Sequence, residues 1–119
     1  MTLLIVTPMF NEIDNVAGLV DTIRGQRFKD FDWVIVDDGS TDGTADRIAE
    51  VDTENIATVL SKTNTGGLLG GSEFRAWRFG VDKTLPLKPY SHVMKLDADA
   101  RLAPTTSNGS SSLRKAESV

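Results

Sequence analysis

Apolar and β-branched residues gather in four short runs, Leu3–Val6, Trp33–Val36, Ile56–Leu60 and Val93–Leu96, the last interrupted by Lys95. Runs of this length that are continuous rather than alternating predict strands buried on both faces of a parallel sheet. The stretches between them have helical spacing. Val16, Leu19, Val20 and Ile23 stand at i, i+3, i+4 and i+7, and Ala45, Ile48 and Ala49 repeat the pattern after Ser40 or Thr41, either of which suits an N-cap. Phe74, Trp77 and Val81 share a third face, and Trp33, Phe74 and Trp77 are expected in the core. The order β-α-β-α-β-α-β predicts a three-layer, Rossmann-like α/β domain with right-handed crossovers and a mostly parallel sheet. Residues 84–90, with two prolines, read as a loop entering the last strand, and His92 as a structural residue at that strand's start.

From Thr105 the pattern stops. Seven of the last 15 residues are Ser or Thr, and only Leu113, Ala116 and Val119 are apolar. Residues 1–104 therefore carry the domain, and 105–119 are expected to form a disordered polar tail. Composition excludes more than it selects. The chain has 119 residues, no cysteine, 13 Lys plus Arg against 17 Asp plus Glu, and a net charge of -4. Thiolate catalysis, thiolate zinc sites and bulk attraction to nucleic acid are excluded. The absence of a long apolar run or a basic leader predicts a cytoplasmic chain, compatible with membrane association through an acceptor or a partner.

The polar residues cluster after the strands. Thr7-Pro8-Met9-Phe10-Asn11-Glu12 follows the first, Asp37-Asp38-Gly39-Ser40-Thr41-Asp42-Gly43 the second, Lys62 to Gly71 the third, and Asp97-Ala98-Asp99 ends the fourth. In open parallel sheets ligands bind outside the carboxyl ends of the strands, so the four clusters are expected to converge. Asp97 and Asp99 are hard oxygen donors suited to Mg²⁺ or Mn²⁺, or else solvated loop aspartates. Asp37-Asp38-Gly39-Ser40 reads equally as a turn with a cap or as a carboxylate accepting hydrogen bonds from a base or a ribose. Gly66, Gly67, Gly70 and Gly71 allow close backbone approach to a ligand, or simply form a surface loop. Arg75 and Arg78 on the next helix either reach a diphosphate or form a solvated face. The single His excludes a Ser-His-Asp arrangement, having no plausible nucleophile beside it.

Together the strings Thr7–Glu12, Val34–Thr44 and Leu96–Asp99 resemble the family 2 glycosyltransferases of the GT-A fold, in order and spacing, over residues 2 to about 103. The resemblance implies a nucleotide-diphospho-sugar site for a UDP-, GDP- or dTDP-linked donor. Thr7, Pro8 and Glu12 would line the nucleotide pocket and Asp38 would contact the base. The loop Gly66–Gly71, with Gly67, is richer in glycine than the family pattern, and Arg75 would substitute for the basic residue that often meets the diphosphate there. Asp97 would meet the ribose or sugar and share a divalent metal, Mg²⁺ or Mn²⁺, with Asp99 as the more direct ligand. Transfer to an acceptor hydroxyl, on a sugar or lipid-linked acceptor, would proceed with inversion. The acceptor site and catalytic base belong, in the family, to a following segment about as long again, which residues 105–119 do not resemble. The expectation is a chain holding the donor half of an incomplete fold, with no catalytic base of its own and an exposed sheet edge open to homodimer pairing. Two rivals remain. A receiver-like regulatory or nucleotide-binding module would place its acidic pair after the first strand rather than the second. A nucleotidyltransferase would carry a glycine-rich signature after the first strand, which is absent here.

Overall fold

A computed structural model describes residues 2–26, 29–64 and 71–100. The glycine segment 65–70, with Gly67, and the expected tail 105–119 lie outside the described residues. Four parallel strands, β1 (Leu3–Met9), β2 (Phe31–Asp37), β3 (Ala57–Ser61) and β4 (His92–Lys95), form one sheet in the order β3-β2-β1-β4. Helices α1 (Ile13–Arg24), α2 (Thr44–Val51) and α3 (Gly71–Thr84) alternate with them. The expected element order is observed, as is the α/β architecture.

The layers follow from strand alternation. Val6 and Val34 point to the α3 side, where a Cβ added at Gly80 would stand 2.7 Å from Val6 Cγ1 and from Val36 Cγ2. Glycine at this position lets the helix backbone rest directly on the sheet, which is why α3 crosses β1 and β2 so closely. Ile5, Trp33 and Ile35 face the other way and are almost fully buried together with Val16, Leu19, Val20 and Ile23 of α1 and Ile48 of α2. Helices thus cover both faces, as right-handed crossovers on a sheet whose order reverses require.

Three expectations are corrected and one is refined. The third strand is half-exposed rather than buried on both faces, because β3 is an edge of the sheet and its Thr58 and Val59 meet solvent. Phe74 is 56% exposed and is not core. Gly80 and Ala76 bring α3 down on one stripe with Trp77 and Val81, and Phe74 falls beside that stripe, with its ring 5.9 Å from Trp77. The N-cap of α2 is Gly43, with neither Ser40 nor Thr41 bonded to the helix, for a reason given below. Residues 84–90 contain a 3₁₀ turn, Leu85–Leu87, with proline in its first positions.

At the starts of the strands, the Tyr90 hydroxyl donates to Asp32 Oδ2 at 2.7 Å and Lys88 Nζ pairs with the same oxygen at 2.8 Å. The Lys88 hydrogen bond, aided by Tyr90 and opposed by burial, holds the Asp32 carboxyl below its ordinary range, while burial and Asp32 push the Tyr90 phenol up. This cluster ties the loop before β4 across β1 to β2. It fixes β4 on the far side of β1, at the point where the order reverses. Among the described residues, no helix is long and apolar enough to cross a membrane.

Candidate functional site

The strand order fixes where a cleft forms. β4 pairs with β1 only from Leu3 to Val6, whereas β2 pairs with β1 as far as Met9. Past Val6, β1 therefore has one neighbour, and the gap opens at the carboxyl ends, where the order reverses. Pro8 occupies this stretch. Met9 O accepts from Asp38 N on the β2 side and Val6 O from Leu96 N on the β4 side. By parity Pro8 faces the β4 side beyond Lys95, where its missing N–H costs no ladder bond. A cavity of about 410 Å³ fills the gap, lined by residues that include Pro8, Phe10, Glu12, Asp38, Asn64 and Ala76, with Glu73, Asp97 and Asp99.

The sequence candidates divide. Pro8, Glu12, Asp38, Asp97 and Asp99 come together around this cavity from three different strand ends. Thr7 does not. One residue from Pro8, it points to the opposite face, where its buried Oγ1 accepts from Trp33 Nε1 at 2.9 Å. The expectation that Thr7 lines the pocket is corrected by the two-residue period of the strand. Arg75 is exposed on α3 and is not in the lining. Gly67 falls outside the described residues. Six further lining residues carry signals too weak to single out in a sequence: Met9, Phe10, Asn64, Glu73, Ala76 and Ala98.

Most of the Asp37–Thr44 string holds two loops together. Asn11 N donates to Ser40 Oγ at 2.9 Å, and Thr41 N donates to Asn11 Oδ1 at 2.7 Å. Glu12 N donates to Thr44 Oγ1 at 3.0 Å, and Ile13 N to Asp42 Oδ2 at 3.2 Å. These bonds latch the segment after β1 to the segment after β2. Ser40 and Thr41 are engaged in the latch, so the work of a cap passes to Asp42, whose Oδ1 accepts from Thr44 N at 3.0 Å. Asn11 itself has φ 54, a left-handed conformation that asparagine tolerates better than most residues. Gly39, at φ +76, lies so close to the chain after β3 that a Cβ would stand 3.0 Å from Asn64 N.

The Thr44 hydroxyl, opposed by burial and joined by the Ile13 and Thr44 backbone N–H groups, holds the Asp42 carboxyl below its ordinary 3.8. A lowered folded value means the contribution of Asp42 is complete above about pH 4 and is lost below it, as pH falls through the lower folded value. Asp42→Ala is expected to be less stable than the parent at pH 7 and to lose stability less steeply below about pH 4. Acid unfolding followed by circular dichroism checks this, and superimposable acid limbs would contradict it.

Asp38, 2% exposed, is charge-balanced from β3's end: Lys62 Nζ donates to its Oδ1 at 2.8 Å, and Asn64 Nδ2 to its Oδ2 at 3.3 Å. Asp37, beside it, accepts from Ser40 N at 3.1 Å and closes the turn. Glu12 precedes α1 and accepts from Asn15 Nδ2 at 2.8 Å. On the opposite wall the chain turns sharply after β4, with Ala100 N donating to Asp97 O at 3.0 Å. Ala98 is buried in that turn, which leaves the Asp97 and Asp99 side chains outward. Lys95 Nζ pairs with Asp97 and with Glu73 of α3. Burial lowers the Lys95 ammonium and the two carboxylates raise it, with a net upward shift.

The residues present suit a divalent cation of one kind. Among the described residues, no three His, Cys, Asp or Glu side chains form a metal cage. Asp97 and Asp99 are two outward carboxylates on one wall, the set that Mg²⁺ uses when phosphate oxygens and water complete its shell. The donor set therefore fits a cation shared with a phosphorylated ligand.

The sequence matches the model of the family described as glycosyl transferase family 2 over residues 4–106. It is 31% identical over 108 residues to the undecaprenyl-phosphate mannosyltransferase of Micrococcus luteus, covering 87% of this chain and 40% of that protein. Among solved structures, residues 1–349 of S. aureus TarS in complex with UDP match with a TM-score of 0.72 and 22% identity, over 93% of this chain and 31% of that one. The mannosyltransferase PcManGT from Pyrobaculum calidifontis, in complex with GDP-Man and Mn²⁺, matches with a TM-score of 0.62 and 23% identity, over 84% of this chain and 28% of that one. These structures share the GT-A fold with the sheet described above. The chain spans well under half the length of each of these relatives.

Proposed function

The chain belongs to glycosyl transferase family 2, and from that membership we propose that its cavity is the donor site of an inverting, metal-dependent glycosyltransferase. The observation that carries the reading is convergence: Glu12, Asp38, Asp97 and Asp99 reach one cavity from three strand ends, at the reversal of the sheet. Asp38 takes the base or the ribose, and the segment Pro8–Glu12 forms the floor of the nucleotide pocket. Asp99 and Asp97 hold Mg²⁺ or Mn²⁺. When bound, such an ion supplies positive charge to the diphosphate as it departs. In the reaction an acceptor oxygen bonds to the anomeric carbon, the bond to the diphosphate breaks on the opposite face, and the acceptor proton passes to a base. We assign no base among the described residues, which belong to the donor side. The mannosyltransferase relative is named for a lipid phosphate, which favours a lipid-linked acceptor and association with a membrane through it. No feature of the described residues favours a receiver-like module over this reading.

Calorimetric titration of UDP, GDP and dTDP into the folded chain tests the proposal. At least one is expected to bind when Mn²⁺ is present and to bind about tenfold or more weakly without it. A folded sample that takes up none of the three overturns the reading.

A further inference from the structure

The cavity wall poses a charge problem. Its lining carries five carboxylates, Glu12, Asp38, Glu73, Asp97 and Asp99, and no basic side chain among the described residues. A diphosphate entering such a site is repelled unless cations stand just outside the lining. Lys62 does this for Asp38. At the other wall Lys95, the last residue of β4, brings a basic side chain to the carboxylates. Its Nζ pairs with Asp97 Oδ1 and Glu73 Oε2 together, and its side chain is two-thirds buried. These two carboxylates come from different elements, β4's end and the first turn of α3.

We propose that Lys95 is a positioning residue of this site, which cross-links the two carboxylate-bearing elements and offsets the charge that a nucleoside diphosphate must approach. The proposal rests on reading the cavity as a donor site. It predicts effects of opposite sign on two ligands. Removing the ammonium makes the wall more negative, which strengthens binding of a divalent cation alone and weakens binding of the diphosphate. Loss of the cross-link acts the other way on the cation, but a half-exposed ion pair holds a carboxylate only weakly, so the charge effect decides the sign.

The test uses Lys95→Met and Lys95→Arg in the full chain, with two measurements. Free Mn²⁺ is followed by electron paramagnetic resonance without nucleotide, and UDP and GDP are titrated calorimetrically at saturating Mn²⁺. Lys95→Met is expected to bind Mn²⁺ alone about threefold to tenfold more tightly and the nucleotide about tenfold more weakly. Lys95→Arg, which keeps the charge, restores both toward the parent values. If Lys95→Met weakens both ligands, or changes neither while the parent binds nucleotide, the role of Lys95 is overturned and the donor-site reading stands. A parent chain that binds no nucleotide overturns the donor-site reading, and this inference with it.

Discussion

Trp33→Ala is expected to destabilise the chain by about 3–5 kcal/mol, the usual range for emptying a buried tryptophan site. Trp33 is 1% exposed near the start of β2 and is among the largest fully buried side chains described. Two losses combine there. The indole leaves a cavity that the neighbouring strands cannot close, because β2 is paired on both sides, to β1 and β3. The Thr7 hydroxyl also loses its donor while remaining at 0% exposure. Small domains are stable by only about 5–15 kcal/mol, so the variant retains little margin at 25 °C. Trp33→Phe separates the two losses, since it keeps most of the packing and forfeits only the hydrogen bond, at a cost of about 1–3 kcal/mol. Urea unfolding followed by circular dichroism measures both. A Trp33→Ala midpoint close to the parent's would mean that the β1–β2 layer is not packed as described.

The second large effect concerns binding and leaves stability alone. Asp99→Asn is expected to weaken Mn²⁺-supported nucleotide binding about a hundredfold or more, and Asp97→Asn by roughly tenfold. Asparagine keeps the size and one oxygen but removes the charge that a hard divalent cation requires. Both side chains lie outward from the turn that follows β4, so the unfolding midpoint should stay where it was. Lys95→Met weakens nucleotide binding as Asp97→Asn does, but it differs in that the cation alone is expected to be held more tightly. Calorimetry at fixed Mn²⁺ gives the affinities. Asp99→Asn binding within twofold of the parent would remove Asp99 from the metal site.

The sequence made the site's location legible because strands announce themselves by composition and their ends by the first polar residues. Asp38, Asp97 and Asp99 are such residues, and they stand on one cavity. What failed was anything decided by parity or by tertiary partners. Thr7 and Pro8 are adjacent and equally plausible as letters, yet strand alternation sends one to the core and the other to the cleft. Phe74 looks like core by period alone, but Gly80 and Ala76, two small residues on α3, set the contact stripe and leave the ring outside. Ser40 and Thr41 are good cap residues whose side chains or amides are claimed instead by Asn11, 29 and 30 positions away. β3 has the composition of an inner strand and lies at an edge, because strand order is set by crossovers that no local pattern encodes. The pairs Lys62–Asp38 and Lys95–Glu73 were invisible for the same reason.

The latch between the loops after β1 and β2 bears on the order of events in folding. Its bonds join residues about thirty positions apart, close to the separation of the β1–β2 pairs themselves, so latch and strands close nearly the same length of chain. Contacts of such separation are gained late, after the entropy of closing the intervening chain has been met. A partly folded chain can have its helices and still hold Pro8–Glu12 and Asp38 apart. The cavity proposed as the donor site is thus complete only once the central strands are home.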